Sequence, residues 1–156
     1  MNVPSHFLFP LFIGLVLKKF GLISYEMVIL CALVGVFVDI DHYIENIIHA
    51  KTNRYSLINA WNNAMKYHRF QQRSFIHHIE GFILLSTFIA VMVFVDLNWA
   101  VIVAVGYYSH MILDYIPLNQ NKYMRWHISK IFFSETQGEL NLDILIIILI
   151  AITMIA

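Results

Sequence analysis

Apolar residues in this chain gather into five long runs separated by two polar connections. Ile23 to Ile40, Ile76 to Val95 and Trp99 to Ile116 are three of them, the last two parted only by Asp96-Leu97-Asn98. Leu140 to Ala156 is another, with Asn141 and Asp143 near its start. The opening run, Phe7 to Leu17, is shorter, but with Lys18 and Lys19 snorkelling and Phe20 to Leu22 added it suffices for a thinned bilayer. A helix crosses a bilayer with about 20 mostly apolar residues, within a range near 17–25. The pattern predicts an all-α, polytopic integral membrane helical bundle of about five segments. In the first connection, His42 to Arg73, Ser56 is a helix-capping residue. Leu57, Ile58, Trp61, Ala64 and Met65 follow at helical spacing, with Asn59, Asn62, Asn63 and Lys66 on the other face. This predicts an interfacial amphipathic helix. The second connection, Pro117 to Glu139, mixes Lys122, Tyr123, Arg125, Trp126 and Lys130, a combination typical of the membrane–water boundary. No repeat divides the chain, so residues 1–156 read as one membrane-embedded domain.

Composition agrees. The chain is 60% hydrophobic and 13% charged, against about 25% charged for soluble domains, which excludes a water-soluble globule. Its wealth of aromatic and branched residues excludes intrinsic disorder. Ten Lys+Arg balance ten Asp+Glu, so no charge excess attracts nucleic acid, and none is expected as a partner. The single cysteine, Cys31, excludes a disulfide framework and a thiolate metal site. Met1 to His6 lacks a basic region, so no cleaved signal peptide is expected. If five segments alternate, the N-terminus and both long connections share one side. That side carries all the basic residues except Lys18 and Lys19. Positive charge marks the cytoplasmic side, so the chain is expected to sit in the inner or plasma membrane with its N-terminus inside and its C-terminus outside.

Ionisable residues in a spanning helix cost about 2.5–3.5 kcal/mol each on insertion scales, which makes them functional suspects. Here they collect at one end of the segments. His6 opens the first, Asp39, Asp41 and His42 close the second, His77, His78 and Glu80 open the third, and His110 and Asp114 close the fourth. In the alternating topology all of these ends face the cytoplasm. His110 and Asp114 are four apart and share a helix face, as do His77 and Glu80 at a spacing of three. Asp39 and Asp41 are two apart, so the second helix is expected to end or loosen there for both to serve one site. Nitrogen and oxygen donors without sulfur suit Zn²⁺, with Mn²⁺ and Fe²⁺ as alternatives. About eight candidate ligands exceed the four of one tetrahedral zinc, so two bridged ions fit the count better, within a range of one to three. Each group also has a structural explanation: an interfacial helix stop, a helix cap, a buried hydrogen bond. Glu139 and Asp143 read as interface markers, with a metal ligand from the fifth segment as the other reading, and Tyr107 and Tyr108 read as packing.

Four elements, Ser5-His6-Phe-Leu-Phe, Asp39-Ile-Asp41-His42, Arg73-Ser-Phe-Ile-His77 and Gly106-Tyr-Tyr-Ser-His110-Met-Ile-Leu-Asp114, occur in the order seen in a known family. Over residues 5 to about 116 the chain resembles the YdjM-like predicted membrane-bound metal-dependent hydrolases. That family is similar to the zinc-dependent phospholipase C and single-strand nuclease superfamily of helical phosphodiesterases. The resemblance implies metal-centre roles for His6, Asp39, Asp41, His77, His110 and Asp114. The third element departs from the family's His-Arg-Gly-x-Thr-His-Ser, with Gln72 at the leading His and Ile76 at the Thr.

The expected function is a membrane-embedded, metal-dependent hydrolase of a phosphoester such as a phospholipid headgroup, using metal-activated water. Its ligands are drawn from His6, Asp39, Asp41, His42, His77, Glu80, His110 and Asp114. Glu80 or Asp41 is the candidate general base, and Arg73 or Arg69 the phosphate-binding guanidinium. A scaffold stapled by a metal without catalysis is the alternative. A metal-ion transporter or sensor is disfavoured, because the outer halves of the segments are almost wholly apolar.

Overall fold

A computed structural model describes residues 3–61, 63, 75–115 and 137–155. Among the described residues all regular structure is helical. In chain order these are α1 (Val3–Lys19), α2 (Tyr25–Phe37), α3 (Ile40–His49), α4 (Leu57–Trp61), a 3-10 turn at Phe75–His77, α5 (Ile79–Val95), α6 (Leu97–Tyr115) and α7 (Gln137–Ile155). Turn chemistry explains the joints. Gly21 takes a positive φ of 73° after α1, and the Ser24 hydroxyl accepts from Met27 N at 3.4 Å to start α2. Asp96 alone reverses the chain between α5 and α6, its Oδ1 accepting from Asn98 N at 2.9 Å and Trp99 N at 3.3 Å.

By length and composition, two helices are able to cross a membrane: Tyr25–His49, in which α2 and α3 run on as nearly one helix, and Gly138–Ile155. Ile79–Val95 is a shorter apolar helix. The five crossings expected from the sequence are therefore not all matched by the helices themselves. α1 ends in Lys18-Lys19 after 17 residues, and the last turns of α6 carry Tyr107, Tyr108, His110 and Asp114.

α1 packs against α2, α6 and α7, α2 packs also against α6, and α5 lies on the far side of α6. Small residues bring the central three together. A β-carbon on Gly35 would lie 2.5 Å from the His6 carbonyl oxygen and 2.6 Å from Pro10 Cγ, and one on Gly106 would lie 2.5 Å from Val34 Cγ1. Val38, Ile89, Tyr107 and Met111 form a buried apolar cluster. Ile29, Leu33 and Phe37 of α2, Ile83 and Leu84 of α5, and Ile144, Leu145 and Ile148 of α7 face outward, while His6, Asp41, Asn46 and His110 are buried. Polar groups inside and apolar groups outside suit an apolar surrounding rather than water.

The same inversion holds at α4. It is capped by Ser56, whose hydroxyl accepts from Asn59 N at 3.3 Å. Leu57 and Ile58 are exposed, and Asn59 and Asn63 turn inward to donate to Asn46 Oδ1 at 3.2 and 2.8 Å. Residues 62 and 64–66 of the expected amphipathic helix, the rest of the first connection to residue 74, and residues 116–136, which hold most of the second connection, lie outside the described residues.

Candidate metal centre

Five stretches of chain deliver donors to one end of the bundle. His6 comes from α1, Asp39 from the break between α2 and α3, Asp41 and His42 from α3, His77 from the last residue of the 3-10 turn, and His110 and Asp114 from α6. The break expected at Asp39 is present: α2 ends at Phe37 and α3 begins at Ile40. Asp39 stands at the start of α3 without using its side chain as a cap, so its carboxylate is left to the site.

The donors form a connected polyhedron. His77 Nε2 and His110 Nε2 are 3.0 Å apart, and Asp114 Oδ2 lies 3.0 Å from the first and 3.3 Å from the second. Asp114 Oδ1 is 3.3 Å from His6 Nε2. Asp39 Oδ1 is 3.5 Å from His110 Nε2, and its Oδ2 is 3.9 Å from His6 Nε2. A divalent ion bonded at about 2.0–2.2 Å to nitrogen and oxygen holds neighbouring donors about 3.0–3.4 Å apart. The triangle His77–His110–Asp114 has those edges.

Three further observations fit a cation here. Neither ring nitrogen of His6 makes a well-aligned hydrogen bond in its buried position; Nε2 faces only the carboxylates of Asp114 and Asp39, an arrangement a cation would complete. His6 stacks on His110 with ring centroids 3.9 Å apart, so two imidazoles point their nitrogens into the same space. His110 Nδ1 donates to the Gly35 carbonyl at 2.7 Å, which leaves Nε2 as the nitrogen facing the site, the usual outer-shell arrangement of a metal-bound histidine. Three groups are spaced to hold an ion: His6, His110 and Asp114; Asp39, His77 and His110; and Asp41, His42 and His77. The imidazoles of His6, His77 and His110 are buried, while the side chains of Asp39 and Asp114 keep 25% and 21% of their surface exposed. The centre is closed on its histidine side and open on its carboxylate side.

Other candidates fall elsewhere. Asp41 holds His77 from the far side of the ring, with Oδ2 2.9 Å from Nδ1. His42 is a third exposed at the rim, its Nε2 3.8 Å from Asp39 Oδ1 and its ring 5.4 Å from that of His77. His77 and Glu80 do not share a helix face, because the chain is extended at His78, the cap of α5. That break turns His77 inward and leaves Glu80 exposed on the first turn of α5. Arg69 and Arg73 lie outside the described residues. Tyr107, read as packing, also has a positioning contact: its hydroxyl donates to the Ile76 carbonyl at 3.2 Å, next to His77. Glu139 and Asp143, read as interface markers, are buried against the rest of the bundle, with Asp143 beside Ser5 of α1. Both acids lie on one face of α7 at a spacing of four, a signal the sequence carried.

No curated protein and no solved structure matches the chain. The model of the YdjM inner membrane protein family matches residues 1–153, a span that takes in every donor of the centre, and the chain belongs to that family.

Proposed function

We propose that the chain is a multi-pass inner-membrane hydrolase that uses a divalent metal ion, zinc foremost, to cleave a phosphoester of the lipid-headgroup class. The observation that carries this reading is the convergence of three imidazoles and two carboxylates into a donor set that is open on one side. Bound there, a divalent ion would supply Lewis acidity to a phosphoryl oxygen and to water. The chain's own groups do the rest. His6, His77 and His110 exclude water from one side by their burial. Asp39 and Asp114 border the accessible side and would neutralise a bound ion. Glu80, exposed on the first turn of α5 three residues after His77, is the candidate proton acceptor, and Arg73 the candidate phosphate ligand. The proposed topology is five crossings with the N-terminus cytoplasmic, supported by Lys51 and Arg54 beside α3 and by Lys18 and Lys19 at the opposite end of α1.

A second reading, an ion that only staples the helices, draws on the burial of all three histidines and their origin in separate elements. Metal analysis of the purified protein, followed by turnover on phospholipid, nucleotide and simple phosphodiester substrates, separates the two. Glu80→Gln is expected to abolish turnover while the ion stays. A protein that holds its ion and turns over none of these substrates is a stapled scaffold. A protein that binds no divalent ion ends both readings.

A further inference from the structure

We infer that Asp41 is a positioning residue and not a metal ligand: it fixes His77 in the Nδ1–H form, so that the centre takes one ion on His6, His77, His110, Asp39 and Asp114. This rests on the metal-binding half of the reading above and is independent of hydrolysis.

The geometry of His77 carries the inference. Its two ring nitrogens point in diverging directions and meet different partners. Nδ1 lies at hydrogen-bond distance, 2.9 Å, from Asp41 Oδ2. A carboxylate accepts, so Nδ1 carries a proton, and Nε2 is the nitrogen turned toward Asp114 and His110, where an ion would take its lone pair. The same logic fixes His110 through the Gly35 carbonyl. The two Nε2 atoms then face each other across 3.0 Å, with Asp114 Oδ2 as the third corner of the triangle. Three such atoms at these separations need a positive centre among them, a proton shared with Asp114 when no ion is bound and a divalent ion when one is. One ion satisfies all three.

A second ion on Asp41, His42 and His77 is the competing arrangement, since those residues also have suitable spacing. It would require the His77 ring to bind one ion at each nitrogen and therefore to lose both its protons. It would also sever the hydrogen bond that orients the ring. The observed contact instead matches the carboxylate–histidine–metal arrangement, in which the outer carboxylate sets the tautomer and raises the basicity of the ligand. Burial distinguishes the carboxylates as well: the Asp41 side chain is 9% exposed, less than half of the value for Asp39 or Asp114.

The test uses the full chain in detergent, titrated with zinc and, separately, with cobalt. The wild type is expected to bind one ion. Asp41→Asn is expected to keep that stoichiometry and the wild-type cobalt coordination bands, while binding weakens about 10–100-fold, the usual cost of losing an outer carboxylate. The ion-free variant is expected to melt with the ion-free wild type. Two ions per wild-type chain, a changed cobalt coordination number in the variant, or unchanged affinity would each overturn the inference. A fall in ion-free melting that accounts for the weakened binding would make Asp41 merely structural and overturn it too. A wild type that binds neither metal instead overturns the proposed function, so the two failures are distinct.

Discussion

Gly35 is the point at which the packing of the bundle and the metal centre meet, and Gly35→Ala separates the two. Its carbonyl accepts from His110 Nδ1 at 2.7 Å. Its Cα faces the carbonyl of His6, which has no helical donor because Pro10, four residues on, lacks an N–H. An added β-carbon would stand 2.5 Å from that oxygen, about 0.9 Å inside ordinary contact, and 2.6 Å from the Pro10 ring. Neither backbone nor proline ring has a rotamer to escape by, so α1 must move away from α2. Overpacking costs about 1–3 kcal/mol, and alanine returns about 1 kcal/mol of helix propensity. The net loss of stability is then about 0–2 kcal/mol, small enough for the protein to fold. The centre is less forgiving. Site geometry must hold within about 0.5 Å, and the displacement of His6 exceeds this. Zinc affinity is expected to fall at least about tenfold, or about 1.4 kcal/mol. Gly14→Ala is the control at the same helix pair, because its β-carbon meets Val28 Cγ1 at 3.1 Å and Val28 Cα at 3.2 Å, a milder approach away from the donors. Chelator competition in detergent reads affinity, and ion-free melting reads stability. Wild-type affinity in Gly35→Ala, or an equal loss in Gly14→Ala, would refute this coupling.

Chelation should lower the melting temperature, since an ion at 100 times its Kd stabilises by about 2.7 kcal/mol; unchanged melting after verified metal removal would sink the centre. His110→Ala and Asp114→Ala each remove a corner of the donor triangle and should lose the ion, and the former also strips the Gly35 carbonyl of its donor, at about 1–3 kcal/mol. Metal content per folded chain checks both, and retention of the full content in either would count against the geometry. Cysteines at Leu22, Leu97 and Ile155 should label from outside and one at Thr52 from the cytoplasm; any pair that labels from the wrong side removes the five-crossing topology.

The donors were legible because helical spacing and segment ends are written in sequence. His110 and Asp114 lie one turn apart, and the Asp-x-Asp pattern required the break that separates α2 from α3. What spacing does not carry is the local start of a helix. The three-residue interval from His77 to Glu80 implies a shared face only if one helix contains both, and the extended backbone of His78 ends that premise. Nor does spacing distinguish a ligand from the residue that orients it. Asp41 and Asp39 are equivalent in the sequence, and the direction of the His77 ring and the deeper burial of Asp41 separate them. Gly35 and Gly106 were silent because a missing side chain has no periodicity of its own; their meaning depends on the helix across the interface. The burial of Glu139 and Asp143 depends likewise on where α1 runs.

The one-residue reversal at Asp96 bears on how such a protein is made. α5 and α6, at 17 and 19 residues, are almost equal in length, so folding them back on each other returns His110 and Asp114 to the level of His77. α1 and α2 do the same for His6 and Asp39 around Gly21. In the proposed topology each helical hairpin would enter the bilayer as a unit during synthesis, and neither holds the full donor set. Docking of the two inserted hairpins would then be a late step, with the proposed ion as its assembly check. Two co-expressed fragments, divided between the hairpins, are accordingly expected to reassemble in the membrane when metal is supplied and to be degraded when it is withheld.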